Sequence, residues 1–409
     1  MRIGLFTETY TPYISGLVTS TVVLKKALEE LGHEVYVVTA NLETFKYDYN
    51  SEERILKIPG IPTGIYDARL TSIYPISAVN KIKSWKLDII HSHTEFAIGT
   101  FARIFAKHYK IPVVHTYHTM YEDYIHYVTK GYFNKSSKKL VEYMTKFYCD
   151  KTVSELIVPT PKTYELFKNK YNVDRNIHII STGIEVDRFF KENIKNSKVL
   201  KIKKDLNIEK KDITILFVGR IAKEKNIEFL INAHKKLVKI NKNLKLILVG
   251  DGPEKEEYEN LVNKLEIQKN VLFTGKVDQQ DVPLYYQVTD FFTSASLTET
   301  QGLTIIESMA SETIPICIED DSFKTVITNK LNGLLFTIEE EYINIITDLI
   351  KNKSERLRME KQARLQAEQC NSTNYAFRVL QVYERAIKDK KTKKHFRIIS
   401  NIIKKIKGE

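Results

Sequence analysis

The chain has 409 residues, of which 43% are hydrophobic and 28% charged, and its formal net charge is +12. This length suits two domains rather than a single core, and no run of about 18 uncharged apolar residues predicts a transmembrane helix. The N-terminus lacks the layout of a signal peptide, and the three cysteines show neither metal-binding nor paired spacing. We therefore expect a reduced, cytoplasmic protein.

Alternating strand and helix patterns fill the first half of the chain. An apolar strand at Arg2–Thr7 precedes a loop with Pro12 and Gly16, and Thr19 or Ser20 is expected to open a helix that Gly32 ends. Further strands are predicted, in chain order, at about 34–39, 88–91, 112–115, 153–159 and 177–180. This alternation predicts a parallel sheet, with functional loops at the carboxyl ends of its strands.

A second series of strands and helices follows a polar stretch, Lys191–Lys211, which we interpret as an interdomain linker. Its strands are predicted at 213–218, 244–249, 271–274, 291–294 and 314–317. Ligands of such Rossmann-like sheets bind beyond the carboxyl ends of the strands. Two facing domains would therefore place a ligand in an interdomain cleft. A helix at about Tyr375–Ile387 comes last, before a basic tail.

Two carboxylates, Glu299 and Glu307, bracket the turn at Gly302 and the start of an apolar helical run. A strand, a tight turn and a helix N-terminus together present backbone N–H groups to a phosphate. A carboxylate before the turn and another two turns into the helix could hold hydroxyls of the same ligand. The combination indicates a nucleotide-sugar site, and the alternative is a capped surface helix with two solvated carboxylates.

Basic residues and glycines follow other predicted strands. Arg220 and Lys225 come after Gly219 at a strand end, where a guanidinium and an ammonium could clamp a diphosphate; the alternative is a solvated basic turn. Gly16 would let the backbone approach a ligand closely. The first loop lacks the three spaced glycines of a dinucleotide site, so a nicotinamide cofactor is not supported.

Histidines also cluster at the ends of predicted strands. His118 lies in a nine-residue run with another His, two Tyr and two acids, which favours a ligand-binding function over a structural one. His91 and His93 form a weaker cluster of the same kind. A His-x-His pair can bind a metal, but the sequence shows no third ligand, so we predict no metal site.

In combination, these residues resemble the retaining glycosyltransferases of family 4, over nearly the whole chain. The resemblance implies the GT-B fold, in which two Rossmann-like α/β domains face each other across a cleft and a C-terminal helix crosses back to the N-terminal domain. It implies an acceptor- and membrane-facing domain at 1–190, a nucleotide-sugar donor domain at 191–372, and the crossover helix with its basic tail at 373–409.

The same resemblance implies roles for individual residues. Glu307 would bind the ribose of the donor, and Glu299 and His118 would bind the transferred sugar. Arg220 and Lys225 would stabilise the charge on the leaving diphosphate. The remaining donor contacts would come from Gly16, Gly219, Lys276, Val277, Gln301, Gly302 and Leu303. Many relatives have Phe at the position of Gln301 and paired glycines at Ser15-Gly16, so we expect a donor pocket of a somewhat different shape.

A closer resemblance is to the bacterial diacylglycerol glucosyltransferases of the α-monoglucosyldiacylglycerol synthase type. The runs that carry it are 15–20, 93–96, 117–127, 221–225 and 298–304. It implies UDP-glucose as donor, 1,2-diacylglycerol as acceptor and an α-linked product. Tyr121, Asp123 and His126 would contact the acceptor. No tightly bound cofactor is expected, and a requirement for Mg²⁺ would not act through an evident protein site.

The C-terminal tail independently suggests a membrane surface. From Lys388 to Glu409 there are nine Lys or Arg and two acids, a net charge of +7. Basic residues opposite an apolar stripe are typical of an interfacial helix that binds anionic lipid. That stripe is formed by Phe396, Ile399, Ile402, Ile403 and Ile406. Lys130–Lys151 and Ile65–Lys86 are further candidates. We expect a peripheral protein on the cytoplasmic side of the cell membrane.

Several alternatives remain open at this point. The basic segments could be the solvated surface of a Lys-rich protein. Nucleic acid is not an expected partner, because the tail offers isoleucines in place of stacking aromatics. The same fold could add a second hexose to a monoglucosyl lipid, use galactose, or glycosylate a wall polymer. An inactive scaffold that binds membrane or nucleic acid is the non-enzymatic alternative, against which the charged donor-site residues argue.

Overall fold

The computed structural model describes residues 1–13, 15–62, 69–118, 142–296 and 301–407, apart from the side chains of Pro62, Leu70 and residues 391–407. The chain divides into two compact units. The first combines Met1–Gly183 with the C-terminal segment from Ser372, and the second is Ile184–Asn371. Each unit is a sheet of mainly or entirely parallel strands, flanked by helices.

The first unit contains a sheet of nine described strands. They are β1 (Arg2–Phe6), β2 (Glu34–Asn41), β3 (Asp48–Asn50), β4 (Ile55–Pro62), β5 (Arg69–Thr71), β6 (Ile89–Ser92), β7 (Val113–Thr116), β8 (Glu155–Val158) and β9 (Asn176–Ile179). Their order is β3-β4-β2-β1-β6-β7-β8-β9, with β5 beside β4. Only β3 and β5 run antiparallel to their partner among the described pairs. In the register, Ile3 of β1 lies between Val35 and Ile89.

Helices cover both faces of this sheet. They are α1 (Gly16–Glu30), α2 (Ile76–Ser84), α3 (Ala97–Tyr109), the helical residues 142–146 that run into the π-turn Phe147–Lys151, α4 (Pro161–Glu165) with the π-turn Leu166–Lys170, and the C-terminal α12 (Ser372–Lys407). The core between sheet and helices is apolar: Leu5, Leu24, Val37 and Val379 are fully buried in it.

The first helix begins earlier than the sequence predicts. We expected Thr19 or Ser20 to open it, but Ser15 is its N-cap, and the Ser15 hydroxyl accepts a hydrogen bond from the Val18 N–H. The Ser20 hydroxyl is instead buried against the hydroxyl of Tyr375 on α12, at 3.2 Å. Gly16 is therefore the first residue of α1 and not part of the preceding loop.

The C-terminal helix belongs to the first unit. The prediction of a helix at 375–387 is confirmed, and the backbone continues as one helix of 36 residues to Lys407. Its buried face packs on α1 and includes Tyr375, Val379 and Tyr383. Among the helices that the structure describes, none combines the length and the apolar character needed to cross a membrane.

The second unit contains a sheet of six described strands. They are β10 (Ile213–Val218), β11 (Leu244–Val249), β12 (Val271–Gly275), β13 (Phe291–Ser294), β14 (Ile314–Ile318) and β15 (Leu334–Phe336), in the order β12-β11-β10-β13-β14-β15, and all pairs are parallel. The helices are α5 (Asn196–Asp205), α6 (Ile227–Ile240), α7 (Lys255–Lys264), α8 (Val282–Gln287), α9 (Leu303–Ala310), α10 (Glu339–Lys351) and α11 (Lys353–Gln369).

The interpretation of Lys191–Lys211 as a linker was wrong. This stretch holds α5, which packs on α8 within the second unit. Its apolar residues Val199, Ile202 and Leu206 are partly buried against the core. Lysine makes up much of the exposed face of this helix, so its apolar residues form only a weak pattern at helical spacing in the sequence.

Glu8 connects the central strand of the first sheet to α3. It follows β1, and its Oε1 accepts a hydrogen bond of 2.7 Å from the Ile98 N–H in the first turn of α3. The Thr94 hydroxyl donates to Oε2. Burial raises the pKa of Glu8 to about 7, although both hydrogen bonds and Arg103 act to lower it. For the charged form of Glu8, the cost of burial therefore exceeds the stabilisation by its hydrogen bonds and by Arg103.

We predict that Glu8 makes the first unit less stable as the pH rises from 4.5 to about 7. In this window the folded state keeps a proton that the unfolded chain has lost, so the free energy of unfolding falls with pH and then levels off. The loss over the window is on the order of 3 kcal/mol. Glu8→Gln is neutral at every pH, so it should remove this slope. Its amide oxygen can accept from the Ile98 N–H, and its amide NH2 can donate to the Thr94 hydroxyl oxygen in place of the bond that Glu8 accepts.

The fluorescence of Trp85, the single tryptophan, can follow denaturant unfolding at pH 5 and pH 8, because Trp85 is buried in the first unit. Exposed Glu52 supplies the control variant Glu52→Gln, which should keep the wild-type pH dependence. Equal pH slopes for the wild type and Glu8→Gln would contradict the assignment.

Candidate active site

The carboxyl ends of three adjacent strands gather polar residues in the first unit. β1, β6 and β7 are neighbours in the sheet and run parallel, so the residues that follow them lie at one edge. Glu8 follows β1, His93 follows β6, and His118 lies two residues beyond β7. The structure thus places His118 at the edge where the sequence predicts it.

A hydrogen bond of 2.9 Å joins His93 Nδ1 to His118 Nε2. The ring centroids are 5.2 Å apart and the ring planes are inclined by 25°. Together with the short N–N distance, this separation means that the two nitrogens point toward each other. His93 is buried and His118 is half-buried. Desolvation lowers the pKa of His118 to about 3 and holds that of His93 well below its usual value. Both imidazoles are therefore neutral near pH 7.

His91, by contrast, is held entirely by the protein. Its Nδ1 lies 2.7 Å from the Tyr383 hydroxyl on α12, and its Nε2 lies 2.7 Å from the Thr116 hydroxyl on β7. Both ring nitrogens are thus occupied in a fully buried site. His91 therefore fixes the position of α12 and β7, and the His91-x-His93 pair is not arranged as two free metal ligands.

A buried charged cluster lies beside the histidines. His115 Nδ1 is 2.7 Å from the Ser92 carbonyl, and its Nε2 is 2.8 Å from Glu95 Oε1. The thiol of Cys149 lies within 4.8 Å of both the imidazole and the carboxylate. These are metal-ligand types, but His115 and Glu95 bind each other and the buried guanidinium of Arg103 adds positive charge nearby. Sequence reasoning missed this cluster, because its members are far apart in the chain.

Of the other predicted site residues in the first unit, the structure describes Gly16 but not the acceptor contacts. Gly16 lies in the first turn of α1, where an added Cβ would meet nothing within 4 Å. Tyr121, Asp123 and His126, the predicted acceptor contacts, lie outside the described residues, as does Glu299 of the second unit. Their roles stay predictions.

The second unit brings the predicted donor residues to one edge of its sheet. Gly219 and Arg220 follow β10, Lys276 and Val277 follow β12, and Lys225 ends a 3-10 turn that precedes α6. Arg220 and Lys225 are half-buried, and Lys276 is exposed. Because β10 and β12 flank β11 and all three run parallel, these groups share the edge at which Rossmann-like sheets bind ligands.

Two glycines let the backbone pack closely at this edge. Gly250 follows β11 with φ 140°, and a Cβ added to it would lie 1.9 Å from the Gly219 carbonyl oxygen. Gly302 is the N-cap of α9 with φ 70°, and its Cβ would lie 2.9 Å from the Phe323 ring. Neither position accepts a side chain. Gln301 is buried, and Leu303 begins α9 at the same sheet edge.

Glu307 has a partner that the sequence did not reveal. The hydroxyl of Tyr286 donates a hydrogen bond of 2.9 Å to Glu307 Oε2 and lies 3.2 Å from the Thr304 carbonyl. Burial raises the pKa of Glu307, whereas Tyr286 and the more distant Arg188 lower it. Tyr286 thus keeps a desolvated carboxylate oriented. Nothing in the local sequence around Tyr286 marks this role.

Both halves of the chain match known protein families. Residues 14–188 match the family described as Glycosyltransferase Family 4, and residues 198–366 match Glycosyl transferases group 1. The two matches correspond to the two units of the structure.

Similar proteins extend over most of the chain. It is 36% identical to the alpha-monoglucosyldiacylglycerol synthase of Streptococcus pneumoniae, over 95% of this chain and 86% of that protein. It is 37% identical to the enzyme of the same name from Acholeplasma laidlawii, over 86% of this chain and 89% of that protein. Among solved structures, Anabaena HepE in complex with UDP-glucose is 16% identical, with a TM-score of 0.73 over 94% of this chain and all of that one.

The strand order, the glycine-rich sheet edge and these similarities all indicate the same family. The chain belongs to the glycosyltransferases of family 4, in the group that contains the alpha-monoglucosyldiacylglycerol synthases, and it is a hexosyltransferase with the GT-B fold.

Proposed function

We propose that this enzyme transfers glucose from UDP-glucose to the 3-hydroxyl of 1,2-diacylglycerol with retention of the anomeric configuration, giving 3-O-α-glucosyl-diacylglycerol. The observation that carries the proposal is the identity of 36% and 37% to two alpha-monoglucosyldiacylglycerol synthases over most of the chain. The geometry of the second unit supports a nucleotide-sugar donor, because basic side chains and a helix N-terminus share one sheet edge.

Different donor-site residues bind different parts of the nucleotide sugar. Glu307, held by Tyr286, accepts hydrogen bonds from the ribose hydroxyls, and Glu299 accepts them from the glucose. Arg220 and Lys225 neutralise the charge that develops on the departing UDP, and the first turn of α9 after Gly302 binds the diphosphate. The backbone at Lys276 and Val277 contacts the base.

The transfer step needs no protein nucleophile. The bond between the anomeric carbon and the diphosphate breaks, the acceptor oxygen bonds to the same face, and the departing diphosphate takes the acceptor proton. His118 holds the transferred sugar, and its neutral imidazole adds no positive charge at pH 7. Such a site lowers the barrier most by stabilising the charge on the leaving group.

The acceptor places the enzyme at a membrane surface. Diacylglycerol resides in a bilayer, and the basic end of α12, where the backbone remains helical to Lys407, would lie on an anionic surface. The location proposed is peripheral, on the cytoplasmic side of the cell membrane. Tyr121, Asp123 and His126 are the proposed acceptor contacts.

The assay that tests the whole proposal offers radiolabelled UDP-glucose or UDP-galactose to the full-length enzyme in anionic vesicles. The vesicles contain either diacylglycerol or monoglucosyl-diacylglycerol. We expect glucose transfer to diacylglycerol, with an α-linked product by NMR. Preferential labelling of monoglucosyl-diacylglycerol would contradict the acceptor, transfer from UDP-galactose alone would contradict the donor, and a β-linked product would contradict retention.

Removal of either basic group of the donor site should slow the chemical step. We predict that Arg220→Ala and Lys225→Ala each lower kcat by about 10²- to 10³-fold, because the charge on the departing diphosphate loses a stabilising partner. Lys242→Ala is the matched control, since Lys242 is exposed just before β11, at the opposite edge of the same sheet. A kcat near the wild-type value for Lys225→Ala or Glu299→Ala would exclude this site.

The hydroxyl of Tyr286 should be needed for donor affinity more than for the chemical step. We predict that Tyr286→Phe raises the KM for UDP-glucose about 5- to 10-fold, as expected for loss of about 1 kcal/mol of orientation energy. The rise should be larger at low pH, because loss of the hydrogen bond raises the pKa of Glu307 further. Initial rates at several pH values test this. Half-buried Tyr285 supplies the control Tyr285→Phe, which should leave KM unchanged, and a pH-independent KM in Tyr286→Phe would argue against the coupling.

A further inference from the structure

His93 has no role in the function proposed above, yet it is bonded directly to His118. It is buried at the carboxyl edge of the first sheet, and its Nδ1 lies 2.9 Å from His118 Nε2. Its other nitrogen, Nε2, is buried and has no hydrogen-bond partner among the described residues. A buried imidazole with one nitrogen used and one unused calls for an explanation.

The hydrogen bond between the two rings holds a single proton. A neutral imidazole carries hydrogen on one nitrogen and a lone pair on the other. Burial keeps both rings neutral, so one nitrogen of the pair donates and the other accepts. The choice fixes the tautomers of both histidines together.

The unbonded Nε2 of His93 determines which ring donates the hydrogen bond between His93 and His118. If His118 Nε2 donated, His93 would carry its hydrogen on Nε2, where the N–H would be buried without an acceptor among the described residues. Buried N–H groups without an acceptor are rarer in folded proteins than acceptors that lack a donor. The favoured arrangement therefore has His93 Nδ1–H donating to His118 Nε2, and the hydrogen of His118 then resides on Nδ1.

The ring of His93 also packs against the ring of His91. Its centroid lies 4.1 Å from that of His91, and both nitrogens of His91 are bonded, to Tyr383 and to Thr116. A fixed His91 thus limits the rotation of His93. The position of His93 Nδ1 beside His118 is therefore maintained by packed neighbours within the first unit.

We propose that His93 is a positioning residue that holds His118 as the Nδ1–H tautomer, so that His118 presents a hydrogen-bond donor to an oxygen of the transferred sugar. The tautomer follows from contacts within the first unit alone. Only the use of that N–H by the sugar rests on the proposed function.

The tautomer can be measured without any substrate. In ¹⁵N-histidine-labelled enzyme, long-range ¹H–¹⁵N spectra distinguish protonated from unprotonated ring nitrogens, and His118→Gln identifies the His118 signals among ten histidines. We expect His118 with hydrogen on Nδ1 and a bare Nε2. A wild-type spectrum with hydrogen on Nε2 of His118 would overturn the inference, whatever the activity.

Two substitutions of His93 separate positioning from packing. Asn places an amide N–H near the position of Nδ1 and should keep the tautomer of His118, whereas Leu fills space without a donor and should release it to a mixture. For glucosyl transfer we expect His93→Leu to lower kcat about 10- to 100-fold with little change in KM, and His93→Asn to keep most of the wild-type kcat. In His118→Leu, adding His93→Leu should have no further effect on kcat, because both act through one contact.

Trp85 fluorescence on denaturation reports whether either variant simply unfolds. Equal loss of kcat in the Asn and Leu variants at equal stability would overturn the positioning role. If the spectra show the expected tautomer and its loss in His93→Leu, but the enzyme does not transfer glucose, the tautomer assignment stands and the proposed function fails.

Discussion

Desolvation at the carboxyl edges of the two sheets determines the protonation of the polar groups that lie there. In each unit the groups at that edge are forced toward their neutral forms: burial raises the pKa of Glu8 and Glu307 and lowers that of His93 and His118. A parallel sheet covered by helices creates this condition, because its strand ends are the nearest backbone to a ligand and are still close to the core.

Each of these desolvated groups has specific hydrogen-bond partners, and the partners determine what the group can do. Tyr286 favours the carboxylate form of Glu307, which is the form that can accept hydrogen bonds from hydroxyls. Glu8 has its two oxygens occupied by Thr94 and the first turn of α3, so it is a structural acid in spite of its raised pKa. A perturbed pKa alone would have ranked Glu8 above Glu307 as a functional residue, and the hydrogen bonds reverse that order.

Much of the fold could be predicted from the sequence, because buried parallel strands are continuous apolar runs. The strands Ile213–Val218, Leu244–Val249 and Phe291–Ser294 begin and end where the sequence predicts. Four of the described strands were missed. β3, β5 and β15 have three residues each, which is too short for a pattern. β4 has eight residues, but its two prolines and one glycine argue against a strand. The helix α5 was missed for a different reason, as its lysines obscured a narrow apolar face.

The candidate site could be predicted only where its chemistry is local. Charged residues and glycines directly after strands predict the proposed donor edge without a structure, because strand, turn and helix are consecutive in the chain. Their partners are not local: 21 positions separate Tyr286 from Glu307, 25 separate His93 from His118, and 86 separate Glu8 from Thr94. Such pairs depend on strand order, which the sequence pattern leaves undetermined.

The C-terminal helix α12 connects the histidine cluster to the basic segment that is proposed to bind a membrane surface. Tyr383 on α12 donates to or accepts from His91, which in turn packs against His93. Further along the same helix, past Ala386, the chain becomes strongly basic. The direction in which the basic segment leaves the first unit is therefore set by the buried contacts of Tyr375 and Tyr383. A helix that was only a tether for the enzyme on the bilayer would not need a buried tyrosine bonded to the histidine cluster. Through that contact, the helix that leads into the basic tail also holds His91, which packs against the hydrogen-bond partner of His118.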